Sequence, residues 1–333
     1  MKKWIAIAVG VAVAVLATGA VLFSFGFLGP MSADTPEVIG GPKESVPGVR
    51  GMHQPRATLE DEQIDAAALN AAAEYAGTHN STALIVSRHG HIVFERYWKG
   101  SGPDTVIETP GFGGTVAAML VGIAMEQRHI SSVNEPVGSL VESFATGDYS
   151  SMTIRELLQL QDVEPLVKLI EGLSHKRYSA FLSRELWKPL AAGDAKVRID
   201  RGNGLALADC CLVARQADWM RIAQLLIDDG QYQGARILPA GWARQMAVAS
   251  AHDPEQGSHL WLGIPRDGFY MRTAGTDRLW LHPALHLAVL RIGRPSQDWD
   301  EGRIPSLVIA GVIDRPQAPT SEKTDLSKLV PNH

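Results

Sequence analysis

The pattern of apolar and polar positions divides this chain into unlike stretches. Met1-Lys2-Lys3 precedes a charge-free run from Trp4 to Leu28, long enough for a transmembrane helix, which needs ~20 apolar residues. Residues 29–57 are rich in Pro, Gly and Ser and lack apolar periodicity, which predicts a flexible linker. Leu59 to Tyr75 is Ala-rich with early acids and predicts a helix. Thr82–Arg88 and Ile92–Trp98 are β-rich runs around His89-Gly90-His91 and predict a hairpin. An extended segment from Thr105 leads into Gly111-Phe112-Gly113-Gly114, and a helix is predicted over Thr115–Gln127.

Further along, Thr153 followed by Glu156 forms a capping box opening the helix Thr153–Gln161, with another helix over Glu164–Glu171. From Ala214 the apolar positions recur at helical spacing until Gly230. His259–Ile264, Gly268–Arg272, Arg278–Leu281 and Leu285–Arg291 read as an antiparallel meander, and Ile304–Val312 as a closing helix. These elements place one large domain at 58–313, and residues 314–333 read as a disordered polar tail.

The N-terminal run exceeds the ~7–15 residues of a signal-peptide core, which favours an uncleaved anchor over 1–28. Lys2 and Lys3 place that end in the cytoplasm. The expected location is therefore the cytoplasmic membrane, single-pass, with the domain on the periplasmic or other extracytoplasmic side. The chain has 333 residues, a net charge of −5 and no long basic run, which gives no footing for a nucleic-acid partner. Cys210 and Cys211 are adjacent and are expected to be unpaired small hydrophobes. His89 and His91 are expected to be turn residues, since no third ligand for a metal accompanies them. No cofactor and no metal are expected.

The glycine stretch carries the chemistry, partly by omission. Three glycines in four residues permit unusual backbone angles, and a turn opening a helix points N–H groups outward to suit an anion. Its flanks, the Thr153-Ile-Arg-Glu-Leu-Leu158 helix, the Glu185-Leu-Trp-Lys-Pro-Leu190 element and above all Ala214–Pro239 resemble the β-lactamase-related serine hydrolases. That family includes class C β-lactamases, penicillin-binding proteins and 6-aminohexanoate-oligomer hydrolases. The resemblance implies an α/β (α+β) fold, with an antiparallel sheet, helices on both faces and a helical subdomain.

In that family the turn bears Ser-x-x-Lys. Laid on this chain, the serine falls on Gly111 and the lysine on Gly114. The family's Tyr-x-Asn segment is absent between Asp162 and Glu164, and no serine here has a lysine three positions later. No catalytic residue is therefore assigned. Phe112, Thr115, Arg272 and Thr273 remain as candidate pocket residues, with Gly111 expected within ~10 Å of the strand carrying Arg272 and Thr273. The resemblance implies an inactive relative, binding or scaffolding beside the membrane with a cell-wall or peptide-like ligand. The alternatives are an active amide or ester hydrolase with relocated groups and a structural periplasmic module.

Overall fold

The computed structural model describes residues 41–314. The expected anchor, residues 29–40 of the expected linker and nearly all of the tail lie outside that range. Among the described residues no helix is long and apolar enough to cross a membrane.

The described chain opens with strand β1 (Lys43–Val46), inside the stretch expected to be linker. Lys-Glu-Ser-Val carries no strand pattern of its own. What orders it lies far away in sequence: Glu44 accepts from Arg177 and Ser179 at 2.7 Å each, and Val46 is fully buried. Asp65 then caps helix α1 (Ala66–Thr78) by accepting the Ala67 N–H at 2.9 Å. The early acids sit in turns before this helix, so it starts later than the sequence suggests. Strands β2 (Ser81–Arg88) and β3 (His91–Tyr97) form the expected hairpin, with His89 and Gly90 both at positive φ in the turn. Strand β4 (Val106–Glu108) leads to helix α2 (Phe112–Glu126), buried without interruption from Phe112 to Ala124. A helix apolar all round belongs in an interior.

Helices α3 (Ile154–Leu158), α4 (Glu164–Ser174) and α5 (Tyr178–Leu182) build the helical region. The capping box at Thr153 is present, each partner bonding the other's backbone N–H. Strands β5 (Ala195–Arg198) and β6 (Leu212–Arg215) follow, then helix α6 (Gln216–Ile227). A two-residue-strand hairpin, β7 (Gln231–Tyr232) and β8 (Ala235–Arg236), precedes helix α7 (Trp242–Met246). The meander is β9 (Trp261–Leu262), β10 (Phe269–Arg272), β11 (Arg278–His282) and β12 (Leu287–Gly293), and helix α8 (Arg303–Ala310) closes the chain.

The hairpin and the meander form one six-stranded sheet in the order β3-β2-β12-β11-β10-β9, all pairs antiparallel. The period-2 rule sorts its side chains cleanly. Leu84, Val86, Leu287 and Val289 face a core closed by α1 and α8, while Ala83, Ile85, Ala288 and Leu290 face the larger core containing α2 and α6. A second sheet of four strands, β1-β5-β6-β4, was not legible in the sequence; its buried residues join the larger core.

Candidate functional site

Gly111 is the N-cap of α2, with φ 104° and ψ −28°. Side-chain-bearing residues avoid such a φ. The expected neighbour is present: a Cβ at 111 would lie 2.5 Å from the Arg272 carbonyl oxygen and 3.3 Å from the Thr273 Cα, at the end of β10. On the other side, a Cβ at 113 would lie 1.7 Å from the Ala208 carbonyl oxygen. The turn is thus gripped between two pieces of main chain. Its first donors are also engaged: Gly111 N–H donates to Asp209 O at 2.8 Å and Phe112 N–H to Thr109 O at 3.1 Å. This corrects the reading that the turn presents these N–H groups to an anion.

Gly114 meets a side chain instead. A Cβ there would lie 2.6 Å from His259 Nδ1, so the imidazole occupies the space a longer residue at 114 would need. His259 sits at φ 56°, is 9% exposed and has no partner for Nε2. Burial pushes its pKa down to about 4, which keeps the ring neutral near pH 7. Its carbonyl accepts the Thr115 hydroxyl at 2.6 Å.

Two of the four candidate pocket residues are corrected by this geometry. Phe112 is fully buried, edge-on to Trp219 with ring centroids 5.2 Å apart, and Thr115 is a buried tie between α2 and the His259 backbone. The helix period turns both toward the core. Arg272 and Thr273 do line the cleft with Gly111. The Arg272 guanidinium lies over Trp261, 3.7 Å from the ring centroid, a stacked cation. Thr273 is 3% exposed and its N–H donates to Asp277 O at 3.2 Å. Asp277 accepts from Gly293 N–H at 2.9 Å, and burial raises its pKa.

The glycine turn, Asp209, Gln161, His259 and Arg272 enclose a cavity of about 200 Å³. Gln161 and Asp209 also border a second cavity of about 610 Å³, walled by Asp162–Glu164 and by the loop before β6. The cleft walls desolvate the Asp209 carboxyl and the Asp162 carboxylate adds a like charge, so its pKa is raised although the residue keeps solvent contact. Tyr178 is 1% exposed, with its hydroxyl unpartnered and its pKa raised by burial and then by Asp209. Tyr149 packs on Phe144 at 5.7 Å.

The sequence did not mark His259, Asp209 or Gln161. His259 stands in a run read as strand, and neither of the others belongs to a motif. Cys210 and Cys211 form a vicinal disulfide beside Asp209, against expectation. That expectation rested on the usual span of about 4.4–6.8 Å between bridged Cα atoms. Adjacent residues are 3.7 Å apart and close a ring through their one peptide. His89 and His91 both hydrogen-bond through Nδ1 to the buried Glu62 carboxylate, at 2.6 and 2.9 Å. Among the described residues no group of three or more His, Cys, Asp or Glu converges as a metal site.

Among the described residues the hydroxyl side chain lining the cleft beside the glycine turn is that of Thr273, whose Oγ1 lies 3.5 Å from Asp277 Oδ2. Of the two threonines flanking the turn in sequence, Thr115 donates its hydroxyl to His259 O and Thr109 is fully buried with its oxygen unpartnered. What the smaller cavity offers is a stacked cation at Arg272, the Asp209 carboxylate, the amides of Gln161 and Gln256 and the neutral His259 imidazole.

No protein-family model and no curated protein matches the chain. Solved structures do. A putative 6-aminohexanoate-dimer hydrolase from Bacillus anthracis superposes with TM-score 0.65 and 14% identity, covering 82% of this chain and 90% of that one. A putative β-lactamase from Bacteroides dorei gives TM-score 0.62 and 14% identity over 75% of this chain and 99% of the other. A penicillin-binding-protein homologue from Caulobacter crescentus gives 0.58 and 10% over 73% and 96%. The six-stranded antiparallel sheet, the helices on its two faces and the buried helix opening at Gly111 are therefore the fold of the β-lactamase and penicillin-binding-protein serine hydrolases.

Proposed function

We propose that this chain is a catalytically inactive relative of those hydrolases, whose cleft binds a peptide-like or cell-wall-derived ligand without cleaving it. One observation carries the reading: the positions matching the nucleophile and the lysine are glycines with no room for either side chain. Arg272 O closes the first and the His259 ring the second. Acyl transfer needs a nucleophile, a base and oxyanion donors. Here glycine supplies neither of the first two, and the Gly111 N–H is already donated to Asp209 O.

The charge-free run Trp4–Leu28 behind two lysines supports a domain held outside the cytoplasmic membrane by a single helix. Protection of the C-terminal domain from protease added outside intact cells would contradict that placement.

The functional test uses the full-length chain, soluble peptidoglycan fragments and a chromogenic ester. The fragments are expected to raise the melting temperature, as any ligand of the native state does, while neither they nor the ester are turned over. Turnover that survives further purification would overturn the reading.

A further inference from the structure

Cys210 and Cys211 are bonded to each other, and the loop that carries them is the one that grips the glycine turn. Both ends of that loop are fixed. On one side Leu207 N–H donates to Arg198 O at 2.8 Å, beside the bridge between Ile199 and Ala206. On the other, Cys211 O accepts the Arg198 N–H at 3.1 Å, and Leu212 opens β6, which pairs with β5 and β4. Between these pins run Ala208, Asp209 and Cys210. Two of the three hold the turn through their main chain: Ala208 O stands against Gly113, and Asp209 O accepts the Gly111 N–H at 2.8 Å. The disulfide closes a small ring around the Cys210–Cys211 peptide, so it fixes the backbone at the end of this span. We propose that the pair is a redox lock on the glycine turn: oxidised, it keeps the Asp209 carbonyl on the Gly111 N–H, and reduced, it lets the span turn and frees that donor at the start of α2. This goes beyond the binding reading and does not depend on it.

Access is one-sided. Cys210 is half-buried and lines the cavity of about 610 Å³, whereas Cys211 is 2% exposed. A dithiol entering the cavity therefore meets Cys210. Its thiolate attacks the Cys210 sulfur, the Cys210–Cys211 bond breaks, and Cys211 leaves as a thiolate that takes up a proton. The second thiol of the reductant then attacks the mixed disulfide, releasing the Cys210 thiol and leaving the reductant as a cyclic disulfide. Two electrons pass to the protein, which gains two hydrogens. Leu207 O lies 3.7 Å from the Cys210 sulfur, an acceptor that the thiol can use and the disulfide cannot. A bond between adjacent residues closes the shortest of loops and restricts little of the unfolded chain. Its effect falls on the span beside it, as suits a switch rather than a staple of the fold.

The test is hydrogen–deuterium exchange of the full-length chain, read by mass spectrometry before and after dithiothreitol under native conditions. Reduction should add two hydrogens to the intact mass. Segment 108–112 should then exchange faster by about fivefold or more, as opening of one local hydrogen bond permits, while Val116–Ala124 within α2 stays protected. The melting temperature should fall by no more than about 4 °C. Diamide, which oxidises dithiols, should restore the slow form. Cys210→Ser with Cys211→Ser should exchange fast without reductant and ignore dithiothreitol. Three results overturn the proposal: a wild-type mass that dithiothreitol leaves unchanged, a reduced chain whose 108–112 segment exchanges as slowly as before, or a reduced chain that loses protection throughout. No ligand enters the test, so hydrolysis by the cleft would overturn the inactive reading and leave the redox lock standing.

Discussion

The interior of this protein and its cleft treat charged groups differently. In the interior, Arg278 is 5% exposed and paired with Glu301, and Arg221 at 2% exposure donates to Leu190 O and Tyr232 Oη. Arg291, fully buried with the Asp277 charge nearby but in no direct ion pair among the described residues, has five hydrogen bonds to oxygens of Ser81, Thr276, His79 and Arg294. In the cleft, Asp162 and Asp209 are in no ion pair among the described residues, Arg272 is stacked on Trp261 rather than paired with a carboxylate, and His259 Nε2 has no partner. Buried polar groups are normally satisfied because leaving them bare costs folding free energy. The contrast concerns charge and not every polar group, since Ser87 Oγ, Trp219 Nε1 and Trp280 Nε1 in the interior are unpartnered too: the buried cations of the scaffold are held by the chain itself, while the two cleft aspartates face solvent. The glycine turn lies on the boundary, with the backbone geometry of the scaffold and none of the side chains of a catalyst.

The comparison breaks first if Phe112 belongs to the cleft. Phe112→Ala should cost about 3–5 kcal/mol, the range for emptying a buried aromatic site, with ligand affinity unchanged in the remaining folded protein. Denaturant melts with calorimetry read both. A small stability loss with a large affinity loss would move Phe112 to the binding surface. Gly111→Ser comes next. It adds a Cβ against Arg272 O at a positive φ, and overpacking with backbone strain together predict a loss of about 2–4 kcal/mol. Gly114→Lys should fail for a different reason, displacement of the His259 ring. The two together should not acquire esterase activity, since catalytic groups acting as a unit gain little when restored in part.

The scaffold was largely readable in the sequence because its signals are local. The short β-rich runs of β2 and β12, the Thr153–Glu156 box and the apolar run of α2 each lie within a few residues. The second sheet was not readable, because β1 exists through Glu44 meeting Arg177 and Ser179 more than a hundred positions away. At the site, the sequence placed Gly111 beside Arg272 and Thr273 and noticed what 111 and 114 lack. It gave no hint that His259 fills the gap at 114, since nothing in His259-Leu260-Trp261 marks a residue that turns inward at positive φ. Phe112 and Thr115 were misplaced because nearness to the turn was taken for nearness to the cleft.

A smaller effect tests the neutral imidazole. Unfolded His259 titrates near 6.5 and the folded ring near 4. As pH falls through that window the unfolded chain takes up a proton that the folded chain refuses, so stability is lost; below about 4 the loss stops. The depressed pKa corresponds to about 3 kcal/mol. Melting curves of wild type and His259→Gln between pH 7 and 4 should diverge by up to that amount, with the variant flatter. Parallel curves would show that the ring is solvated. Smallest of all, Arg272→Gln should change stability by no more than about 0.5 kcal/mol, since its stacking on Trp261 is a part-exposed contact. A loss of several kcal/mol would make Arg272 part of the scaffold.

The central claim, a hydrolase fold that binds without acylation, is tested most directly by incubating the full-length chain with a fluorescent penicillin and reading intact mass and gel fluorescence. The account predicts no adduct for the wild type and none for Gly111→Ser with Gly114→Lys. A stoichiometric adduct on the wild type would contradict it and identify a nucleophile away from the glycine turn.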